Sequence, residues 1–161
     1  QRLISAESFW YDLKHNQHCE DAMPFICNLY TAIEIAFKKH LYKNLPPNIS
    51  DSEVLITAEK KAQNAGFSKV PDWIRGTRIS MVNQTIQSER QTLGAAVLAF
   101  LIIADAENLS MVYSRQPNFL DAINEIIMVR GHGNQIIPLE VSDIQNLRKI
   151  TYTTIKTLLE I

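Results

Sequence analysis

Apolar side chains recur at three- and four-residue steps along most of this chain, and that spacing constrains the fold more than any other feature. Ile26, Leu29 with Tyr30, Ile33, Phe37 and Leu41 form one such stripe. Ile144, Leu147, Ile150 with Thr151, Thr154 with Ile155, Leu158 and Ile161 form another. An α-helix brings each set onto a single face, which must then be buried against something else. No stretch sustains the alternation of apolar and polar residues that a half-buried strand requires, so no sheet is expected. The predicted fold class is all-α: an up-and-down helical bundle of about four long helices with short additional helices.

Local signals place the boundaries. Ser5 is a candidate cap for a first helix reaching about Asn16, with Phe9, Trp10 and Leu13 on one face. A longer helix is expected over residues 20–43, with Pro24 near its first turn, where a missing N–H costs little. Asn44-Leu45-Pro46-Pro47-Asn48 then breaks the chain. Ser50 and Glu53 have the spacing of a capping box for a helix to about Ala65, and Gly66 suits the position just past its end. Pro71 to Gly76 reads as a short helical turn containing Trp73. Residues 79–113 read as one long helix, with Gly94, Ala95, Ala96 and Ala99 allowing close helix–helix approach. Pro117 fits the first turn of a helix over 117–130, with Phe119, Leu120, Ile123, Ile126 and Ile127 inward. Ser142-Asp143 opens a last helix over 142–161.

Composition narrows the function classes. A chain of 161 residues is expected to form a single helical domain, 1–161, able to bury roughly two thirds of its unfolded surface. Hydrophobic content of 46% with 20% charged residues excludes an intrinsically disordered chain. A net charge of −1 argues against coating nucleic acid through bulk charge and leaves room for a local basic patch. The longest apolar stretch, Leu93–Ala104, is too short to span a bilayer, so no membrane association is expected. Gln1-Arg2-Leu3-Ile4 does not open a signal peptide, and a start on Gln reads as a piece of a larger protein. Cys19 and Cys27 are the only cysteines, which points to a reducing, cytoplasmic compartment. His15, His18 and Cys19 lie close together, yet zinc needs four ligands, or three and an open position, and no second cluster supplies the rest. No metal and no cofactor are therefore expected, and that stretch reads as a solvated helix end and loop.

Reactive side chains concentrate in Val129-Arg130-Gly131-His132-Gly133-Asn134, between two helical patterns. Arginine matches phosphate oxygens with its planar fork, and histidine exchanges protons near neutral pH. The backbone N–H groups of Gly131 and Gly133 are candidate anion-binding dipoles, and Asn134 adds an amide. Arg148 and Lys149 follow on the last helix and are candidates to line the same groove. The same residues also admit a plain structural account. Two glycines end a helix, Arg130 complements its dipole, and His132 bonds to nearby backbone. Lys38-Lys39-His40 and Lys60-Lys61 are further basic groups on helices, read as solvated faces. Arg75 and Arg78 flank Gly76 beside Trp73, a combination able to hold a base and a phosphate.

A helical chain of this size with an arginine ahead of a His-Gly pair, just before its final helix, resembles the HEPN superfamily. Members are small helical bundles. Many are metal-independent endoribonucleases of toxin–antitoxin, abortive-infection and CRISPR systems, and others are non-catalytic binding modules. His132 with Gly133 matches the His-Gly end of the family motif, and Arg130 is the nearby arginine that matches its basic end. The family separates the two by several residues, whereas here only Gly131 intervenes. The resemblance implies Arg130 and His132 as catalytic residues acting on RNA. Gly131, Gly133, Asn134, Arg148 and Lys149 would be the substrate-binding set. One histidine does not readily serve both proton transfers, so the implied enzyme is a homodimer that pairs two His132 side chains. The alternative is a non-catalytic binding or dimerisation module attached to other domains of its parent protein.

Overall fold

A computed structural model of the chain describes residues 1–15, 22–41, 50–71, 82, 92–131 and 141–161. These residues form seven helices and no strand: α1 (Arg2–His15), α2 (Met23–Lys38), α3 (Asp51–Asn64), α4 (Leu93–Ile103), α5 (Ala106–Arg115), α6 (Phe119–Gly131) and α7 (Val141–Leu159). The all-α class follows directly from the three- and four-residue apolar spacing.

Helix α2 is the hub. It packs against α1, α4, α6 and α7, and α3 lies across α4 and α5. Its stripe is buried as the spacing requires, with Ile26, Leu29, Tyr30, Ile33, Phe37 and Leu41 all removed from solvent. Pro24 sits in its first turn. The main core runs from α2 through α3 and α4 to α6 and α7. At its centre Phe37 meets Phe100 edge-on at 5.5 Å between ring centroids and Phe119 at 6.1 Å. A smaller cluster of Ala6, Ala22, Phe25, Ile26, Leu29 and Ile144 joins α1 to α2 and the start of α7.

Helix α4 has no wet face. Leu93 and every residue from Ala95 to Ile103 are buried, the three alanines among them. Thr92 caps it by accepting from the backbone N–H of Ala95. The single long helix expected over 79–113 is not formed across its second half. Ala104 takes an extended ψ of 142° and Asp105 one of 158°, so α4 stops and α5 restarts at Ala106. No glycine or proline marks this break. The carbonyls that lose their helical partners there are taken by a side chain from another helix, since Lys61 Nζ donates to Ile102 O at 2.5 Å and Ala104 O at 2.7 Å. Lys61 is therefore bound to backbone on its inner side, not part of a solvated basic face.

Three other local expectations shift. Helix α1 begins at Arg2, so Ser5 lies inside it and its hydroxyl donates to Gln1 O instead of capping. Phe9 faces outward, while Ala6 is buried and Trp10 packs on Phe25. Helix α6 starts two residues after Pro117, with Asn118 O accepting the first backbone bond from Ala122. The capping box of α3 forms as its spacing dictates: Glu53 N–H donates to Ser50 Oγ, and Ser50 N–H donates to Glu53 Oε2 at 2.8 Å. The Ser50 hydroxyl, donating to Glu53 Oε2 at 2.7 Å, and then the Ser50 N–H hold the Glu53 carboxyl below its ordinary range. Gly66 follows with a positive φ of 108°.

Candidate functional site

The expected phosphate site straddles the end of α6. Arg130 is the penultimate residue of that helix, and Gly131 is its last, so Gly131 belongs to the helix rather than to a turn after it. His132, Gly133 and Asn134 lie outside the described residues, as do His18, Cys19, Trp73, Arg75, Gly76 and Arg78. The last turn of a helix carries the negative end of its dipole, which favours a cation at Arg130 on structural grounds alone.

Arg148 and Lys149 lie in the first half of α7. Lys149 is exposed. Arg148 turns toward α1, where its fork closes on a carboxylate. Nε donates to Glu7 Oε1 at 2.7 Å and Nη2 donates to Glu7 Oε2 at 2.8 Å. Tyr152, one turn further along α7, donates its hydroxyl to Glu7 Oε1 at 2.8 Å. The Arg148 guanidinium also lies over the Tyr152 ring, 5.2 Å from its centroid. The bidentate bond from Arg148 is the chief reason the Glu7 carboxyl sits below its ordinary value of 4.5, and the Tyr152 bond adds to it. Burial, then the adjacent carboxylate, push the Tyr152 phenol up to about 12. The two fork edges used on Glu7 are the ones a phosphate would need, so this arginine is engaged in joining α1 to α7.

The other end of that region is stitched too. Asn146 donates to Glu125 Oε1 at 2.8 Å, linking α7 to α6. His40 Nε2 lies 2.6 Å from Leu158 O and therefore donates to it, while its ring meets Phe100 edge-on. His15 stacks against Tyr11 on α1. Among the described residues no three His, Cys, Asp or Glu side chains gather as a metal site.

A groove that the sequence did not announce lies elsewhere, between α2 and α7 beside the start of α1. It has a volume of about 250 Å³. Ala32 and Ala36 are buried at its base, and Ile35, Ile155 and Leu159 line it with Leu3. Ile35 and Leu159 remain 49% and 52% exposed along its walls. Arg2 and Lys39 also line it, and no acidic side chain among the described residues does. The only sequence hint was Ile35, an apolar residue two positions after the stripe residue Ile33 and off its face.

No protein-family model, no curated protein and no solved structure matches the chain. Among the described residues no helix is long and apolar enough to cross a membrane.

Proposed function

We propose that the chain is a non-catalytic helical module that binds a macromolecular partner within a larger cytoplasmic assembly, its long helices arranged as an up-and-down bundle. The observation that carries this reading is the groove between α2 and α7, where two large apolar side chains stay exposed beside two cations. An apolar groove rimmed by polar groups is a form that partner-binding sites take. The engagement of Arg148 by Glu7 supports it from the other side, because it removes one cation from the expected phosphate-binding set.

One observation favours a second reading. Arg130 stands in the last turn of α6, two residues before His132 in sequence, the order that the HEPN resemblance calls for. In that reading the chain is a metal-independent endoribonuclease of a prokaryotic defence or toxin system. Arg130 would neutralise the phosphate in transit, and His132 would move the proton, with a second copy supplying the other histidine.

Incubation of labelled RNA with the chain in EDTA, beside Arg130→Ala and His132→Ala, decides between them. The module reading expects no cleavage by any of the three proteins. Cleavage by the wild type that both substitutions abolish, with folding intact, would install the ribonuclease reading instead.

A further inference from the structure

We infer that the groove between α2 and α7 docks a short amphipathic helix from a protein partner, apolar on the buried face and carrying an acidic side chain that meets Lys39 and Arg2. This deepens the module reading and rests on it. The walls are built from pairs four residues apart, Ile35 on α2 with Lys39 at its C-cap and Ile155 with Leu159 on α7. Ala32 and Ala36 at the base carry only a methyl group each, so an incoming side chain or backbone can approach closely. Such a trough accepts anchors spaced three and four residues apart, which is the spacing a helix presents.

Size argues against a small-molecule site. Pockets that enclose ligands usually offer about 300–1,000 Å³ and bury most of the ligand surface. This groove, at about 250 Å³, opens to solvent past Ile35 and Leu159 and has room for apolar anchors but not for an enclosed ligand. Charge then selects the partner. Arg2 reaches only the Asn28 amide, at 3.5 Å, and neither Arg2 nor Lys39 makes an ion pair among the described residues. Two cations with no acid beside them among the described residues draw an acidic partner and fix its register. They also oppose a second copy docked groove to groove, because that contact would bring one cationic groove against another.

The test is a display library of helix-favouring peptides, selected on the whole chain and counter-selected on Lys39→Glu. Enriched peptides are expected to carry apolar residues three and four apart together with Asp or Glu. Their synthetic forms should bind wild type about tenfold more tightly than Lys39→Glu or Ile35→Glu, a difference typical of losing one good anchor or charge contact. Both positions are exposed, and unchanged thermal melts exclude misfolding as the cause. Enrichment of peptides without acids, binding indifferent to Ile35→Glu and Leu159→Glu, or no enrichment at all would overturn the proposal. Decanoate displacing the selected peptides from the groove at comparable affinity would assign it to an acyl carboxylate. Self-association abolished by Ile35→Glu would assign it to a second copy, and either result overturns the helix. The RNA assay reports separately. Cleavage with groove binding intact defeats the module reading alone, whereas no cleavage and no selected peptide defeats only the docking site.

Discussion

The ring of Tyr113 on α5 lies directly over Gly66 at the end of α3. A Cβ added at Gly66 would fall 2.7 Å from Tyr113 Cε1 and 2.8 Å from Cδ1. The same glycine has a φ of 108°, a backbone state L side chains rarely adopt. Gly66→Ala is therefore expected to cost about 1–3 kcal/mol, read as a lower urea midpoint with an unchanged slope. Tyr113→Ala removes the steric part and leaves the backbone part, so the double variant should lose less than the sum of the two single losses.

The clasp of Glu7, Arg148 and Tyr152 predicts a pH dependence at both ends of the scale. The Glu7 carboxyl is depressed in the folded chain, so its contribution is fully present above the ordinary value of 4.5 and is lost as pH falls through the folded value. Tyr152 runs the other way. Its phenol is raised to about 12, so its contribution is complete below 10.0 and fades as pH climbs from there toward 12. Denaturation followed across pH should show both slopes, and Tyr152→Phe should remove the alkaline one. Because the side chains of Arg148 and Glu7 are each 37% exposed, solvent screens the pair, and Arg148→Ala is expected to cost only about 1 kcal/mol.

Lys61 tests the break between α4 and α5. Lys61→Met keeps the stem and removes the ammonium that Ile102 O and Ala104 O accept from. A loss of about 1–2 kcal/mol is expected, with amide exchange accelerating first around residues 102–106. Exchange unchanged there would mean the break is held by α4 and α5 themselves.

Much of the helical framework is legible in the sequence, because its determinants are local. The stripe of α2 and the capping box of Ser50 and Glu53 each depend on residues within a turn or two. The break at Ala104 was not legible. The group that bonds the carbonyls there, Lys61, is distant in sequence, and its position depends on how α3 crosses α4. Glu7 and Arg148 are separated by 141 positions, so nothing local announces that α1 and α7 share an ion pair. The basic cluster after Val129 was visible as composition. The arginine Arg148 that seemed to extend it is turned toward α1 by a carboxylate that reads, in sequence, as an ordinary surface acid.

Thr151 offers a stabilising substitution. It is fully buried on α7, and its Oγ1 has no hydrogen-bond partner. A buried hydroxyl in that state costs about 1–3 kcal/mol relative to one that is bonded. Thr151→Val removes the polar atom at nearly the same volume and should raise the melting temperature. Thr154 is the control, since it accepts from Gln116 Nε2 at 3.2 Å, and Thr154→Val should lower it.

Helix α4 has a practical corollary for how this chain can be handled. Its eleven residues are insulated by neighbours drawn from both ends of the sequence, α2 and α3 before it and the later helices after it. Cutting away either flank lays bare a greasy rod that has no charged residue to keep it dispersed. Half-length pieces should therefore clump during expression, and nascent chains released before α7 is made should depend on chaperones. For this molecule, the shortest stretch that stays dispersed in water is set by the helix that shows water almost none of its surface.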